Sequence, residues 1–393
     1  MKHYDILIVG AGISGIGAAI RLKQSGIDNF AILEKGDALG GTWRDNTYPG
    51  CACDVPSALY SYSFAPNREW SRLFAGQEEI RRYIERTAAE HGVPAHVKFG
   101  TEMQRAHWSE QSRRWTVDTS AGTFTANAVI AAAGPWNEPL VPTIPGLDTF
   151  TGEAFHSSRW NHTYDLTGKR VAVVGTGASA VQFVPAIQPQ VETLHLYQRT
   201  AQWVLPKPDH TLPGVERAIL RRVPGAIRAL RRVEYTIMET LGLGFRHPWI
   251  LRVIQQIGKA QLRAQVRDPK LRTALTPRLH ARLQATAAVQ HLLPPHSPAR
   301  MSRSTPTPWS RCAETSSSAA TAQNGKWTPS SSAPASTSST CRSVPSCSTA
   351  TVAASTITGR AARRPTSAPP SRVSPTPSSS SGPRWAPVTR RRS

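Results

Sequence analysis

The chain has 393 residues, with 47 basic and 25 acidic side chains and a formal net charge of +22. At about 100–200 residues per domain, that length allows two or three domains with full cores. The excess charge is uneven: residues 1–277 carry 32 bases and 24 acids, while residues 278–393 carry 15 bases and one acid, Glu314. This weighs against one uniformly basic nucleic-acid binder and suggests two unlike kinds of sequence joined near Pro277. The start, Met1-Lys2-His3-Tyr4, runs straight into an apolar strand, so no signal peptide is expected. No apolar run reaches the ~20 residues a membrane span needs. Five cysteines, with Cys51 and Cys53 too close for an ordinary disulfide, suggest a reduced cytoplasmic protein. Cys51-Ala52-Cys53 lacks a second Cys/His pair at ligand spacing, so a turn is the reading and no metal is expected.

Tyr4-Asp5-Ile6-Leu7-Ile8-Val9 reads as a buried parallel strand. It leads into Gly10-Ala11-Gly12-Ile13-Ser14-Gly15 and then an amphipathic helix. This strand–GxGxxG–helix context marks a dinucleotide site. Gly10 permits the tight turn, Gly12 lets a pyrophosphate approach the backbone, and Gly15 lets helix and strand pack closely. The helix N-terminus, with Ser14 in it, offers N–H groups to phosphate. A second strand, Phe30-Ala31-Ile32-Leu33, ends in Glu34, about 20 residues beyond the glycines. That carboxylate can accept both ribose hydroxyls and would repel a 2′-phosphate, which points to FAD or NAD.

The segment Gly40-Gly41-Thr42-Trp43-Arg44-Asp45-Asn46-Thr47-Tyr48-Pro49-Gly50-Cys51-Ala52-Cys53-Asp54 is dense in glycine, aromatic and turn residues. It resembles the N-terminal motif of Baeyer–Villiger monooxygenases, [A/G]GxWxxxx[F/Y]P[G/M]xxxD, at every fixed position. The run that follows, from Val55 through Tyr60 to Phe64, is also similar to these class B flavin monooxygenases. The resemblance implies FAD at this first site, with Gly41, Thr42, Trp43, Tyr48, Asp54 and Tyr60 beside it.

The strand Ala128–Gly134 is where such flavoproteins hand the chain to a second, NADP-binding domain. Phe150, Gly152, His156 and Trp160 match the family's second motif, FxGxxxHxxxW, with Asn161 in place of its Pro or Asp. His156 is read as an interdomain structural group rather than a proton-transfer residue. The strand Lys169–Val174 then meets Gly175-Thr176-Gly177-Ala178-Ser179-Ala180, a GxGxxA turn. The next strand, Thr193–Tyr197, is followed by Gln198-Arg199-Thr200 and not by an acid. Arg199 can pair with a 2′-phosphate, which predicts NADP at this site.

From 211 to 277 the pattern is helical, interrupted at Pro224-Gly225. Ile227, Leu230, Glu234, Ile237 and Met238 stand at helical spacing among Arg221, Arg222, Arg228, Arg231 and Arg232, which are read as a solvated face. After Pro277 the resemblance stops. Residues 278–393 hold 25 serines and no period of 2 or 3.6, so no core is expected of them. A disordered basic tail, a linker and a reading-frame shift each account for this composition. The frame shift is favoured because the break falls inside a domain.

The fold expected is α/β, with two Rossmann-like dinucleotide-binding domains, a helical insertion and an aberrant or disordered tail. The division is 1–146 for the FAD domain, 147–210 for the NADP domain, 211–277 for the insertion and 278–393 for the tail. The resemblance implies an NADPH-dependent monooxygenase that uses a C4a-peroxyflavin. Such an enzyme inserts one oxygen of O2 beside a ketone carbonyl, or oxygenates sulfur or nitrogen. Its partners are a small organic substrate and O2, with no specific nucleic acid and no transmembrane segment; oligomeric state is left open. In the family Asp54 holds an arginine of a Gly-x-Lys-Arg segment that this chain lacks. An unpaired Asp54 implies little or no Baeyer–Villiger activity. The alternatives are an N-hydroxylating flavin monooxygenase and a non-catalytic remnant with an anion-binding tail.

Overall fold

The computed structural model describes residues 1–243 and 247–277, together with the strands Ala287–Val289 and Thr349–Ala353. Strand β1, Lys2–Val9, pairs in parallel with β2, Phe30–Leu33, on one side. Helix α1, Ile13–Gln24, crosses between them and buries Ile16, Ala19 and Ile20. This is the parallel βαβ unit that apolar strands flanking an amphipathic helix favour. A short helix α2, Thr42–Asp45, and a long α3, Gln77–Glu90, follow. Then come β3, Val97–Lys98, β4, Met103–Ser109, β5, Arg114–Thr119, and β6, Gly122–Ala131. The sheet order is β3-β2-β1-β6-β5-β4. Strands β3, β2, β1 and β6 run parallel, while β4 and β5 close the edge as antiparallel strands. Under α1 and α3 the core gathers Ile8, Ile16, Ile20, Ile32, Trp70, Tyr83 and Ile84, all at most 2% exposed. Each such aliphatic side chain contributes about 1.5–3 kcal/mol on burial.

The second sheet is smaller. It holds β7, Ala154–His156, β8, Arg170–Val174, and β9, Thr193–Tyr197, with helix α4, Ala178–Ile187, between the last two. Its core is Val171, Val173, Phe183, Ile187, Leu194 and Leu196. Strand β10, Val204–Pro206, leads to helices α5, Gly214–Arg222, α6, Ala226–Gly242, α7, Pro248–Gln265, and α8, Pro269–Leu275. The break between α5 and α6 lies at Pro224-Gly225, where Gly225 takes φ +85°.

Two strands come from the stretch where no core was expected. Strand β11, Ala287–Val289, pairs with β10, and β12, Thr349–Ala353, enters the second sheet between β7 and β8. That sheet therefore takes a strand from outside 147–210. Thr-Ala-Thr-Val-Ala is β-prone, and the facing edges of β7 and β8 present backbone groups that need partners. The rest of 278–393 lies outside the described residues, and so does the reading of it as a tail or a frame shift.

The arginines of α6 are not all a solvated face. Arg231 turns inward and donates to three backbone carbonyls, of Ala58, Leu59 and Ser61. On the apolar side Ile227 is buried, while Ile237 is half exposed. Among the described residues no helix is long and apolar enough to cross a membrane.

Candidate functional site: two glycine turns and a shared polar node

Both glycine turns sit where parallel strands end. Strand β1 ends at Val9 beside Leu33 of β2, which brings Gly10 next to Glu34. Gly10 has φ +101°, and a Cβ there would lie 2.6 Å from the Ala132 carbonyl oxygen. A Cβ on Gly15 would lie 1.9 Å from the Gly10 oxygen. Both positions therefore require glycine. Gly12 is the N-cap of α1 and no side chain caps it, so the first N–H groups of a 12-residue helix remain for an anion. Ser14 is exposed in that first turn. Gly41, at φ +53°, lies against Gly12, and a Cβ on it would approach the Gly12 Cα to 3.0 Å. The 40–54 segment thus starts at the first turn itself.

Glu34 is buried and already engaged. Its Oε2 accepts from Ala11 N at 2.8 Å, and its Oε1 accepts from Gly36 N at 2.8 Å and Arg44 Nη1 at 2.9 Å. A carboxylate has about four lone-pair directions. One direction remains, on Oε2, so the expectation that Glu34 takes both ribose hydroxyls narrows to one. Arg44, which also binds Asp45 at 2.7 Å, ties α2 to the end of β2 through its pair with Glu34. Trp43 donates from Nε1 to the Tyr60 hydroxyl at 2.9 Å, with the rings edge to face at 5.6 Å. Thr42 is exposed at the start of α2. An open hollow of about 270 Å³ beside the first turn is lined by Ile13, Ser14, Gly17, Tyr60 and Tyr62.

The second turn repeats the first. Gly175 has φ +111°, and Gly177 is the N-cap of α4 without a side-chain cap. Ala180 is buried where a third glycine could stand. Thr176 donates from its hydroxyl to the Thr200 carbonyl at 3.2 Å, which draws the β9 exit to the turn. Arg199 stands exposed at that exit. An apolar hollow lined by Thr176, Val184, Leu196, Trp203 and Leu262 opens between α4 and α7.

A residue that pattern reading missed joins the two halves. Gln182, on α4, is 5% exposed. Its Oε1 accepts from the Tyr48 hydroxyl at 3.0 Å and from Ala52 N at 3.3 Å. Its Nε2 donates to Ala52 O at 2.9 Å and to Asp54 Oδ1 at 3.2 Å. Ser179 lies one helical turn before it, beside the Tyr48 hydroxyl. Gly50 gives α4 room, since a Cβ there would lie 2.8 Å from Gln182 O. The signal was available as a polar residue on the buried face of an otherwise apolar helix, Ala180-Val181-Gln182-Phe183-Val184.

Asp54 is not unpaired, and that expectation is corrected. Lys207, at the end of β10, places Nζ 3.9 Å from Asp54 Oδ1. Burial raises the Asp54 carboxyl above its ordinary range, and Lys207 and Gln182 pull it back down. Burial also pushes Cys51 up to about 11 and Cys53 up to about 12, so both thiols are neutral at pH 7. Sequence reading passed over Lys207 because it is 153 positions from Asp54 in the chain.

The second motif packs rather than reacts. Trp160 stacks at a tilt on Phe183 of α4, 5.2 Å between centroids, and Phe155 meets Trp160 edge to face at 5.2 Å. His156 Nδ1 accepts from Ser158 N at 3.1 Å, and burial, then Arg159, lowers the His156 pKa. Asn161 accepts from Thr163 N at 3.0 Å, the Asx turn that an Asp would also make. Phe150 closes the 3-10 turn at Leu147–Thr149, two residues before Gly152. Among the described residues no cluster of three or more metal-binding side chains occurs.

These features have counterparts among known proteins. The family model described as pyridine nucleotide-disulphide oxidoreductase matches residues 7–240. A Baeyer-Villiger monooxygenase of Streptomyces coelicolor is 50% identical over 277 residues, covering 70% of this chain and 53% of that protein. A solved structure described as oxidized steroid monooxygenase bound to NADP superposes with a TM-score of 0.65 at 30% identity, over 74% of this chain and 63% of that one. One of OTEMO in complex with FAD and NADP does so with a TM-score of 0.62 at 28% identity, over 73% and 62%. The chain spans about half the length of the curated relative it matches. With two glycine turns, one polar node and a family model that matches most of the described chain, the chain belongs to the pyridine nucleotide-disulphide oxidoreductase family.

Proposed function

We propose that this chain carries the dinucleotide-binding part of an FAD- and NADPH-dependent Baeyer–Villiger-type monooxygenase. The substrates are a small ketone, or a sulfur or nitrogen compound, together with O2. The observation that carries this reading is the 40–54 segment, which begins against the first glycine turn and ends at a node reaching α4 of the second. FAD and NADP each fit a positive-φ glycine turn that opens an uncapped helix. Gly10, Gly12, Ser14, Gly15 and Glu34 would hold the adenosine and pyrophosphate of FAD, and Gly41 through Asp54, with Tyr60, would line its ring. Gly175, Thr176, Gly177, Ser179 and Ala180 would hold the NADP pyrophosphate, and Arg199 with Thr200 its 2′-phosphate. When bound, FAD supplies the redox and oxygen chemistry.

The chain's own residues position the two dinucleotides and charge the site. Trp43 and Tyr60, hydrogen-bonded and packed edge to face, would shield one side of the FAD site from water. Gln182 holds the carboxylate end of the 40–54 segment against α4. Asp54 and Lys207 bring opposite charges to that junction. The proposed division remains 1–146, 147–210 and 211–277, with the cytoplasm as the compartment, supported by the free thiols of Cys51 and Cys53. The test is purification of the full chain followed by absorbance and turnover. A yellow protein that consumes NADPH and converts a ketone to its ester supports the reading. A colourless chain that binds neither nucleotide overturns it.

A further inference from the structure

Lys207 is a lysine whose side chain is 1% exposed. Lysine is almost never buried without a partner, because removing an ammonium from water costs several kcal/mol even after relaxation. Asp54 is the only carboxylate within 4.0 Å of Nζ among the described residues, and 3.9 Å is long for a direct ion pair. The ammonium also lies 5.0 Å from the centroid of the Phe74 ring. A long pair to a carboxylate of which a third is exposed leaves the cation with donor capacity to spare.

The backbone around Lys207 is built to hold it there. Asp209 N donates to Lys207 O at 2.8 Å, closing a tight turn. Asp209 in turn accepts from Arg72 at 2.9 Å and from Phe74 N at 3.3 Å. Leu73 N donates to His210 O at 3.1 Å, and Leu212 N to Ser71 O at 2.8 Å. Residues 207–212 are thus laced to the strand-like 71–74 segment on the FAD half, though they follow β10 in the chain. The thiols nearby are neutral and Tyr48 is pushed well above its ordinary range by burial, so neither adds charge to the junction at pH 7.

We propose that Lys207 is the buried cation of this site: it pairs with Asp54 and supplies the positive charge that bound FAD feels as it takes up electrons. The inference rests on the monooxygenase reading above and gives a specific lysine the charge role that the resemblance assigns to an arginine lacking here. A nearby cation favours the reduced, more negative flavin over the oxidised one.

The experiment uses the full chain loaded with FAD and measures the two-electron midpoint potential by equilibration with a reference dye. FAD affinity is read separately by fluorescence. Lys207→Met, similar in length, lowers the preference for reduced over oxidised FAD about tenfold, a downward shift of about 30 mV for two electrons. Lys207→Arg restores the wild-type potential. Asp54→Asn moves it upward, because the cation is then uncompensated. A Lys207→Met protein with normal FAD binding and an unmoved potential overturns the proposal. Should that variant fail to fold, an Asp54→Asn potential that is unmoved or lower overturns it equally. A wild-type chain that binds no FAD overturns the monooxygenase reading itself, and is seen before any variant is compared.

Discussion

Gln182 makes four hydrogen bonds from a position almost fully out of water, and each partner is itself confined. A buried donor or acceptor left unsatisfied costs about 1–3 kcal/mol. Gln182→Leu preserves volume but removes one partner of the Tyr48 hydroxyl and the side-chain partner of both backbone groups of Ala52. A loss of about 2–4 kcal/mol in urea unfolding is expected, together with weaker NADP binding at the α4 turn. Arg199 is the opposite case, an exposed residue whose loss leaves nothing buried. Arg199→Ala should weaken NADPH binding about 10- to 100-fold, as expected for one charge-assisted contact to phosphate. NADH binding should be unchanged, and isothermal titration with both nucleotides checks this.

Helix α6 acts as a clamp. Arg231 and Glu234, three residues apart and so on one face, bind groups of opposite polarity on the 58–61 backbone. Arg231 donates to carbonyls, while Glu234 Oε2 accepts from Leu59 N at 2.8 Å. Burial raises the Glu234 carboxyl to about 7, with the Leu59 N–H and Arg231 holding it down. The native state therefore keeps this proton at pH values where the unfolded chain, near its ordinary 4.5, has released it. With more protons bound in the native state, stability falls as pH rises from about 4.5 to about 7 and is then flat. Glu234→Gln keeps an acceptor for Leu59 N and removes the titration. The variant should gain about 1–3 kcal/mol on wild type between pH 4.5 and pH 8, read by urea unfolding at both values. The inward turn of Arg231 was not legible in the helical pattern. An arginine fits a solvated face equally well, and three carbonyls converging at 58–61 exist only once that turn has folded.

At the scale of the molecule, two glycine turns on two sheets meet through one polar node. Ligands that bind only the folded state stabilise it by mass action. FAD at about 100 times its Kd should add about 2.7 kcal/mol, and NADP should add to that, since its turn lies on the other sheet. Thermal unfolding with each nucleotide and with both measures this. A chain that melts at the same temperature with and without FAD would contradict the proposed site. The tail charge of residues 278–393 plays no part in this expectation.

The amino-acid sequence by itself determined the two glycine turns, the acid after one second strand and the arginine after the other, and the 40–54 motif. These are local signals, because a tight turn, a helix start or a flat-residue run needs only near neighbours in the chain. Tertiary structure alone decided what Asp54 faces. Its partners Gln182 and Lys207 lie 128 and 153 residues further along. A carboxylate's charge is settled by whatever burial brings within a few ångströms, and no spacing in the sequence records that. The entry of Thr349–Ala353 between β7 and β8 is of the same kind, since unpaired strand edges arise only in a formed sheet.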